Sequence, residues 1–182
     1  MKAIVFLATG FEEVEAIGTI DVLRRGGIET VTASITGELT VTGCHEISVV
    51  ADELFDDLDA SAFDALILPG GGPGSLLLNQ HEGVRKALVE AFQDNRLIAA
   101  ICASPRVFGS LGLLNGKRVT CYPGIEPELT GARILPYDVA VDENIITGRG
   151  PGLVFDFGLA IVRYLNGHDI ADSVTQDLLL DG

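Results

Sequence analysis

Four short apolar runs recur within the first 102 residues: KAIVFLA (2–8), ETVTAS (29–34), FDALILP (63–69) and RLIAAIC (96–102). They are nearly continuous rather than alternating, as expected of parallel strands buried on both faces. Between them the period lengthens. EEVEAIGTIDVLRRGG (12–27) places Ala16, Ile20 and Leu23 on one helical face and ends in basic residues followed by Gly26 and Gly27, a C-cap signature. GVRKALVEAFQDN (83–95) is amphipathic in the same way, and GLVFDFGLAIVRYLNG (152–167) reads as a further helix closing on Asn-Gly. This alternation predicts a doubly wound α/β domain with a mostly parallel sheet and helices on both faces. The segment 37–51, GELTVTGCHEISVV and Ala51, alternates like a small antiparallel hairpin, while KRVTCYP and DVAVDENIITG are expected to add late strands to the sheet. DELFDDLD (52–59) reads as a solvated helix face or loop.

The totals narrow the partners. With 182 residues, 47% of them hydrophobic, the chain suits one domain over 1–182. A net charge of −14 disfavours nucleic acid and anionic membrane surfaces. No run approaches the length of a membrane span, and the N-terminal apolar run is too short for a signal peptide, so a cytoplasmic protein is expected. Cys44, Cys102 and Cys121 are odd in number and widely spaced, without disulfide or metal-ligand spacing, and are expected to be free thiols. No cofactor and no metal are expected.

In doubly wound folds ligands bind at the carboxyl ends of the strands. Three places there carry candidate chemistry. TGFEEVE (9–15) opens the first helix with three carboxylates; Glu12 and Glu13 are explained by the helix dipole alone, whereas Glu15 shares a face with the small residues Gly18 and Thr19. LPGGGPGS (68–75) follows a strand and lets backbone amides approach an anion, but lacks the pattern of a nucleotide P-loop. IAAICASP (98–105) ends a strand in Cys102, with Ser104 expected as N-cap and Pro105 at the first helical position. This is a strand–nucleophile–helix elbow, with Ala100 and Ser104 where the hydrolase turn has glycines. The helix start is expected to depress the Cys102 pKa, and a partly buried carboxylic acid would donate a hydrogen bond to the sulfur. Cys44 and Cys121 lack this setting and read as small core residues. His45, His81 and His168 fall outside every motif and read as loop or surface residues.

ATGFEEVE, LPGGGPG, IAAICASP and TGRGPG followed by FDFGLAIVRYLNG, in this order, resemble the ThiJ/PfpI superfamily, most similarly the branch of the parkinsonism-associated protein deglycase and its bacterial relatives. The resemblance covers nearly the whole chain. It implies a flavodoxin-like sheet, Cys102 as nucleophile and Glu15 hydrogen-bonded to it. Gly70, Gly71 and the Ala103 amide would form the oxyanion site, with Tyr122, Arg149 and Pro151 beside the substrate. It further implies a homodimer, to which a close approach at Gly18 would contribute, and glyoxalase or protein deglycase action on a small aldehyde or glycated adduct without cofactor. Oxidative-stress sensing through Cys102 is the alternative it implies. Ala103 stands where the protease branch has a histidine, so peptidase action is not expected. Tyr122 stands where several deglycase relatives have a histidine, and a phenol is a poor base near neutrality.

Overall fold

The structure, a computed structural model, describes residues 1–180; the last two residues of the expected 1–182 domain lie outside the described residues. The four apolar runs form β1 (Lys2–Leu7), β2 (Glu29–Ser34), β6 (Ala65–Leu68) and β7 (Leu97–Ile101). Between β2 and β6 lie β3 (Thr40–Thr42), β4 (Ser48–Val50) and β5 (Glu53–Leu54); β8 (Arg118–Val119), β9 (Arg133–Ile134), β10 (Val139–Asp142) and β11 (Ile145–Gly148) follow. The helices are α1 (Glu13–Arg25), α2 (Gly72–Gln80), α3 (Glu82–Gln93), α4 (Pro105–Ser110), α5 (Val154–Asn166) and α6 (His168–Asp177).

The central sheet has the order β10-β11-β7-β6-β1-β2-β5, and every neighbouring pair is parallel except β10 with β11. This is the flavodoxin-like arrangement expected. Alternate side chains explain the continuous apolar runs. Ile4 and Phe6 of β1 face one core with Leu66, Leu78, Leu88 and Phe108, whereas Ala3 and Val5 face the other with Leu23, Phe157, Ile161 and Val162. Helices α1, α5 and α6 therefore cover one face, and α2, α3 and α4 the other. No helix of the described residues is long and apolar enough to cross a membrane.

Several expectations are corrected. KRVTCYP does not join the central sheet: β8 pairs with β9 as a separate two-stranded ribbon, and only β10 and β11 extend the main sheet. Segment 52–59 is only partly solvated, because Asp52 bonds Arg24 and Thr32 and Phe55 is buried in the core. Ser104 holds the N-cap position expected, but its side chain does not cap the helix: its backbone is already helical and its hydroxyl donates to the Pro69 carbonyl. The close approach at Gly18 is used inside the chain, where a Cβ would stand 2.9 Å from Val154 of α5. The expected hairpin is present as antiparallel β3 and β4, packed over the start of α1 through Val41 and Phe11.

Candidate active site at the carboxyl ends of the strands

Chain order reverses between β1 and β6: from β1 the chain winds outward through β2 and β5, then returns to β6 and winds the other way. The loops leaving these two strands separate there and open a crevice. They are held by reciprocal backbone bonds, Glu12 N to Gly70 O at 3.0 Å and Gly74 N to Gly10 O at 3.1 Å. Gly71 must be glycine, since its φ is +95° and a Cβ would stand 2.3 Å from the Gly10 carbonyl.

Cys102 follows β7 directly and has φ +63°, a left-handed backbone rare for a residue with a side chain. Its N–H donates to Gly148 O and its C=O accepts from Tyr122 N, so neighbouring segments hold the turn on both sides. The elbow expected from the sequence is thus formed. The thiol is largely buried, and the backbone amides of Gly71 and Ala103 lie near enough to favour its thiolate.

Glu15 is fully buried on α1. Its Oε2 accepts from Gly70 N at 2.8 Å and its Oε1 has no hydrogen-bond partner, while the Cys102 thiol lies near enough to favour the ionised carboxyl. Burial pushes the carboxyl up to about 7 against the hydrogen bonds that lower it, with the Glu12 charge adding to the rise. Burial, followed by the charge and hydrogen bond of Glu15, pushes Cys102 up to about 12, opposed by the amides of Gly71 and Ala103. This reverses the expected depression of the Cys102 pKa: a six-residue helix does not outweigh desolvation beside a carboxylate. A second negative charge in this buried pair is strongly opposed, so the pair keeps one proton to share at neutral and mildly alkaline pH.

A cavity of about 360 Å³ opens in front of the sulfur. Gly71, Cys102, Ala103, Tyr122 and Pro151 line it, as the sequence reading expected of a common site. Tyr122 is half exposed and its ring lies against Gly150. Glu15 and Gly70 stand behind the sulfur rather than on the cavity wall. Arg149 is not brought to the cavity; its side chain is exposed, and its charge lowers the pKa of Cys121 against the larger effect of burial, which pushes that thiol up to about 11.

Six wall residues were not read as site residues, Gly72 and Ile125 among them. Arg106, one turn beyond the nucleophile, is buried and paired with Glu128 at 2.9 Å. Glu12, Cys44 and His45 complete the wall, because the β3–β4 turn folds over the start of α1 through Cys44 N to Phe11 O at 2.8 Å. Cys44 is therefore exposed rather than a core residue, and His45, an exposed turn residue as expected, stands at the cavity. Glu13 does more than complement a dipole: it accepts from His45 N at 2.7 Å and pairs with His45 Nδ1 at 2.8 Å. Only the alternation of 37–51 hinted at this, by predicting a hairpin without saying where it docks.

The sequence profile of the DJ-1/PfpI family matches residues 1–164. The chain is 40% identical over 181 residues to Protein DJ-1 homolog B of Arabidopsis thaliana, covering 98% of this chain and 41% of that protein, so it spans less than half of that relative. It is 34% identical over 171 residues to the glutathione-independent glyoxalase DJR-1.2 of Caenorhabditis elegans, covering 93% and 90% of the two chains. The crystal structure of Drosophila melanogaster DJ-1beta superposes with a TM-score of 0.94 at 36% identity, covering 98% of this chain and 97% of that one. Sequence profile, near-full-length relatives and fold agree: this chain belongs to the DJ-1/PfpI family.

Proposed function

We propose that this protein is a cofactor-independent glyoxalase, acting on methylglyoxal or its adducts on protein amines and thiols through Cys102 and Glu15. The observation that carries the reading is the pairing of a fully buried carboxyl, free at Oε1, with a thiol at the floor of the cavity. A pair that keeps one proton is what the chemistry requires. In the tautomer with the proton on Glu15, the thiolate adds to the aldehyde carbon of methylglyoxal. The developing oxyanion accepts hydrogen bonds from the Gly71 and Ala103 amides and takes the proton from Glu15. The Glu15 carboxylate then removes the hydrogen of the sulfur-bound carbon as a proton and returns it to the adjacent carbon, while the hydroxyl proton passes from the oxygen of the first carbon to that of the second through the enediol. The result is a lactoyl thioester on Cys102. Water hydrolyses it to lactate and frees the thiol. The glyoxalase name of the Caenorhabditis elegans relative supports this reading.

A second reading uses the same donors. Oxidation of Cys102 to a sulfinate would place negative oxygens where the Gly71 and Ala103 amides and a protonated Glu15 converge, as a redox sensor requires. The two are separated by supplying methylglyoxal without glutathione and measuring lactate. Catalytic formation that disappears in Cys102→Ala supports the enzyme; none from the reduced wild type leaves the sensor.

The expected homodimer is also proposed. Val14 and Ile17 on α1, together with Val50 on β4, are exposed apolar side chains that a second copy would cover. Three free thiols fit a reducing cytoplasmic setting.

A further inference from the structure

Beside the Cys102 cavity, two segments far apart in sequence bring four donor groups to one point. Glu12 and Glu13 come from the start of α1, Cys44 and His45 from the β3–β4 turn, and one donor atom from each lies within 4.8 Å of the other three. Cys44 Sγ stands 3.1 Å from Glu12 Oε2, 3.4 Å from Glu13 Oε2 and 3.2 Å from His45 Nδ1. His45 Nδ1 stands 2.8 Å from Glu13 Oε2 and 3.4 Å from Glu12 Oε2. Tetrahedral zinc with metal–ligand bonds of about 2.0–2.3 Å separates its ligand atoms by about 3.3–3.7 Å. The cluster lies within a few tenths of an ångström of that spacing on most of its edges.

Two further features point to a cation. Both glutamate side chains are about nine-tenths buried, yet among the described residues no lysine or arginine pairs with either, and the exposed imidazole of His45 is their one basic partner. Adjacent buried anions are costly unless neutralised. Each carboxylate also divides its oxygens in the same way. Oε1 of Glu12 accepts from Val14 N, and Oε1 of Glu13 accepts from the N–H groups of His45 and Ile47, so both Oε2 atoms are left toward the shared centre. Anchoring of this kind by outer partners orients the ligands of metal sites. Cys44 and His45 are exposed at the cavity rim, which supplies an entry path.

We propose that Glu12, Glu13, Cys44 and His45 form a binding site for a borderline divalent cation, zinc in the first instance, that ties the β3–β4 turn to α1 beside the Cys102 cavity. One thiolate, one imidazole and two carboxylates are a zinc donor set. The site does not depend on the glyoxalase reading and stands or falls by metal binding alone.

The test is a titration of metal-free full-length protein with Zn²⁺ against a chromophoric chelator, with Co²⁺ as a spectroscopic probe. The expected result is one Zn²⁺ per chain and, with Co²⁺, a thiolate charge-transfer band with the visible bands of a tetrahedral ion. Both should persist in Cys102→Ala. Cys44→Ser and His45→Ala, at exposed positions where folding can be verified by circular dichroism, should each weaken Zn²⁺ binding by at least about a hundredfold, beyond the usual loss from an outer partner. Failure of the folded wild type to bind overturns the proposal. So does binding lost in Cys102→Ala but kept in Cys44→Ser, which would assign the ion to the nucleophile.

Discussion

The carboxyl of Glu15 reaches the thiol of Cys102 through a gap that only glycine leaves at position 70. A Cβ there would stand 2.3 Å from Glu15 Oε2 and 2.6 Å from Cys102 Cβ, so the acid, the sulfur and the Gly70 backbone occupy one close-packed contact. Gly70→Ala must therefore push acid and sulfur apart. The expected cost is about 1–3 kcal/mol of stability, typical of overpacking, together with at least about a tenfold loss of lactate formation. Denaturant unfolding and a lactate assay on the same preparation check both.

The buried acid also sets a pH dependence of stability. The Glu15 pKa is raised from 4.5 to about 7, so its stabilising contribution is full below about pH 4.5 and is lost as pH rises through about 7. Glu15→Gln lacks this titration. Relative to the variant, the metal-free wild type should lose on the order of 3 kcal/mol between about pH 4 and pH 8, the equivalent of that shift. Parallel urea curves across this range would show the difference between the two stabilities changing with pH; a constant difference would mean that folding does not raise the Glu15 pKa.

Alkylation distinguishes the thiols. Cys44 is pushed up to about 12 by partial desolvation together with the hydrogen bonds and charges of Glu12 and Glu13, and Cys121 to about 11 chiefly by burial. Cys102 can gain thiolate character by passing its proton to Glu15, whose carboxyl is raised to about 7, whereas the Glu13 carboxyl beside Cys44 is lowered to about 2. At about pH 8 Cys102 should be alkylated fastest, with a rate that rises as the pair loses its first proton near 7. Peptide mass analysis after short exposures reads the order; equal rates at the three positions would contradict a shared proton.

Much of this architecture was legible in the sequence because parallel strands buried on both faces leave continuous apolar runs, and because an elbow cysteine stands where such a run ends. The glycines at 70 and 71 were legible for the same reason, lying directly after β6. What escaped was tertiary. Burial of Glu15 depends on α1 lying over Gly70, and helical periodicity does not encode that. The position of His45 depends on a hairpin docking over α1, an arrangement without local signal. The Cys102 pKa was read in the wrong direction because helix-end electrostatics can be seen in a sequence, whereas desolvation and the neighbouring carboxyl cannot.

Tyr122 lines the cavity, and its backbone N–H holds the Cys102 carbonyl. If its side chain only positions the substrate, Tyr122→Phe should cost about 1 kcal/mol, roughly a fivefold change in rate. A much larger loss in a lactate assay would give the phenol a chemical role.

The exposed apolar face on α1 and β4 predicts association. Val50 is 72% exposed, so Val50→Glu should leave the fold intact while converting a dimeric wild type to monomers in sedimentation velocity. A dimer that persists unchanged would place the interface elsewhere.

The account rests on proton transfer by Glu15 within a species bonded to Cys102. Magnetic resonance of lactate formed from methylglyoxal in D₂O by the wild type and by Glu15→Gln tests this most directly. A carboxyl that exchanges its proton with solvent puts deuterium at lactate C2 in the wild type, and Glu15→Gln, whose amide cannot accept and return a proton, should form little lactate. Equal rates and equal labelling in the two proteins would contradict it.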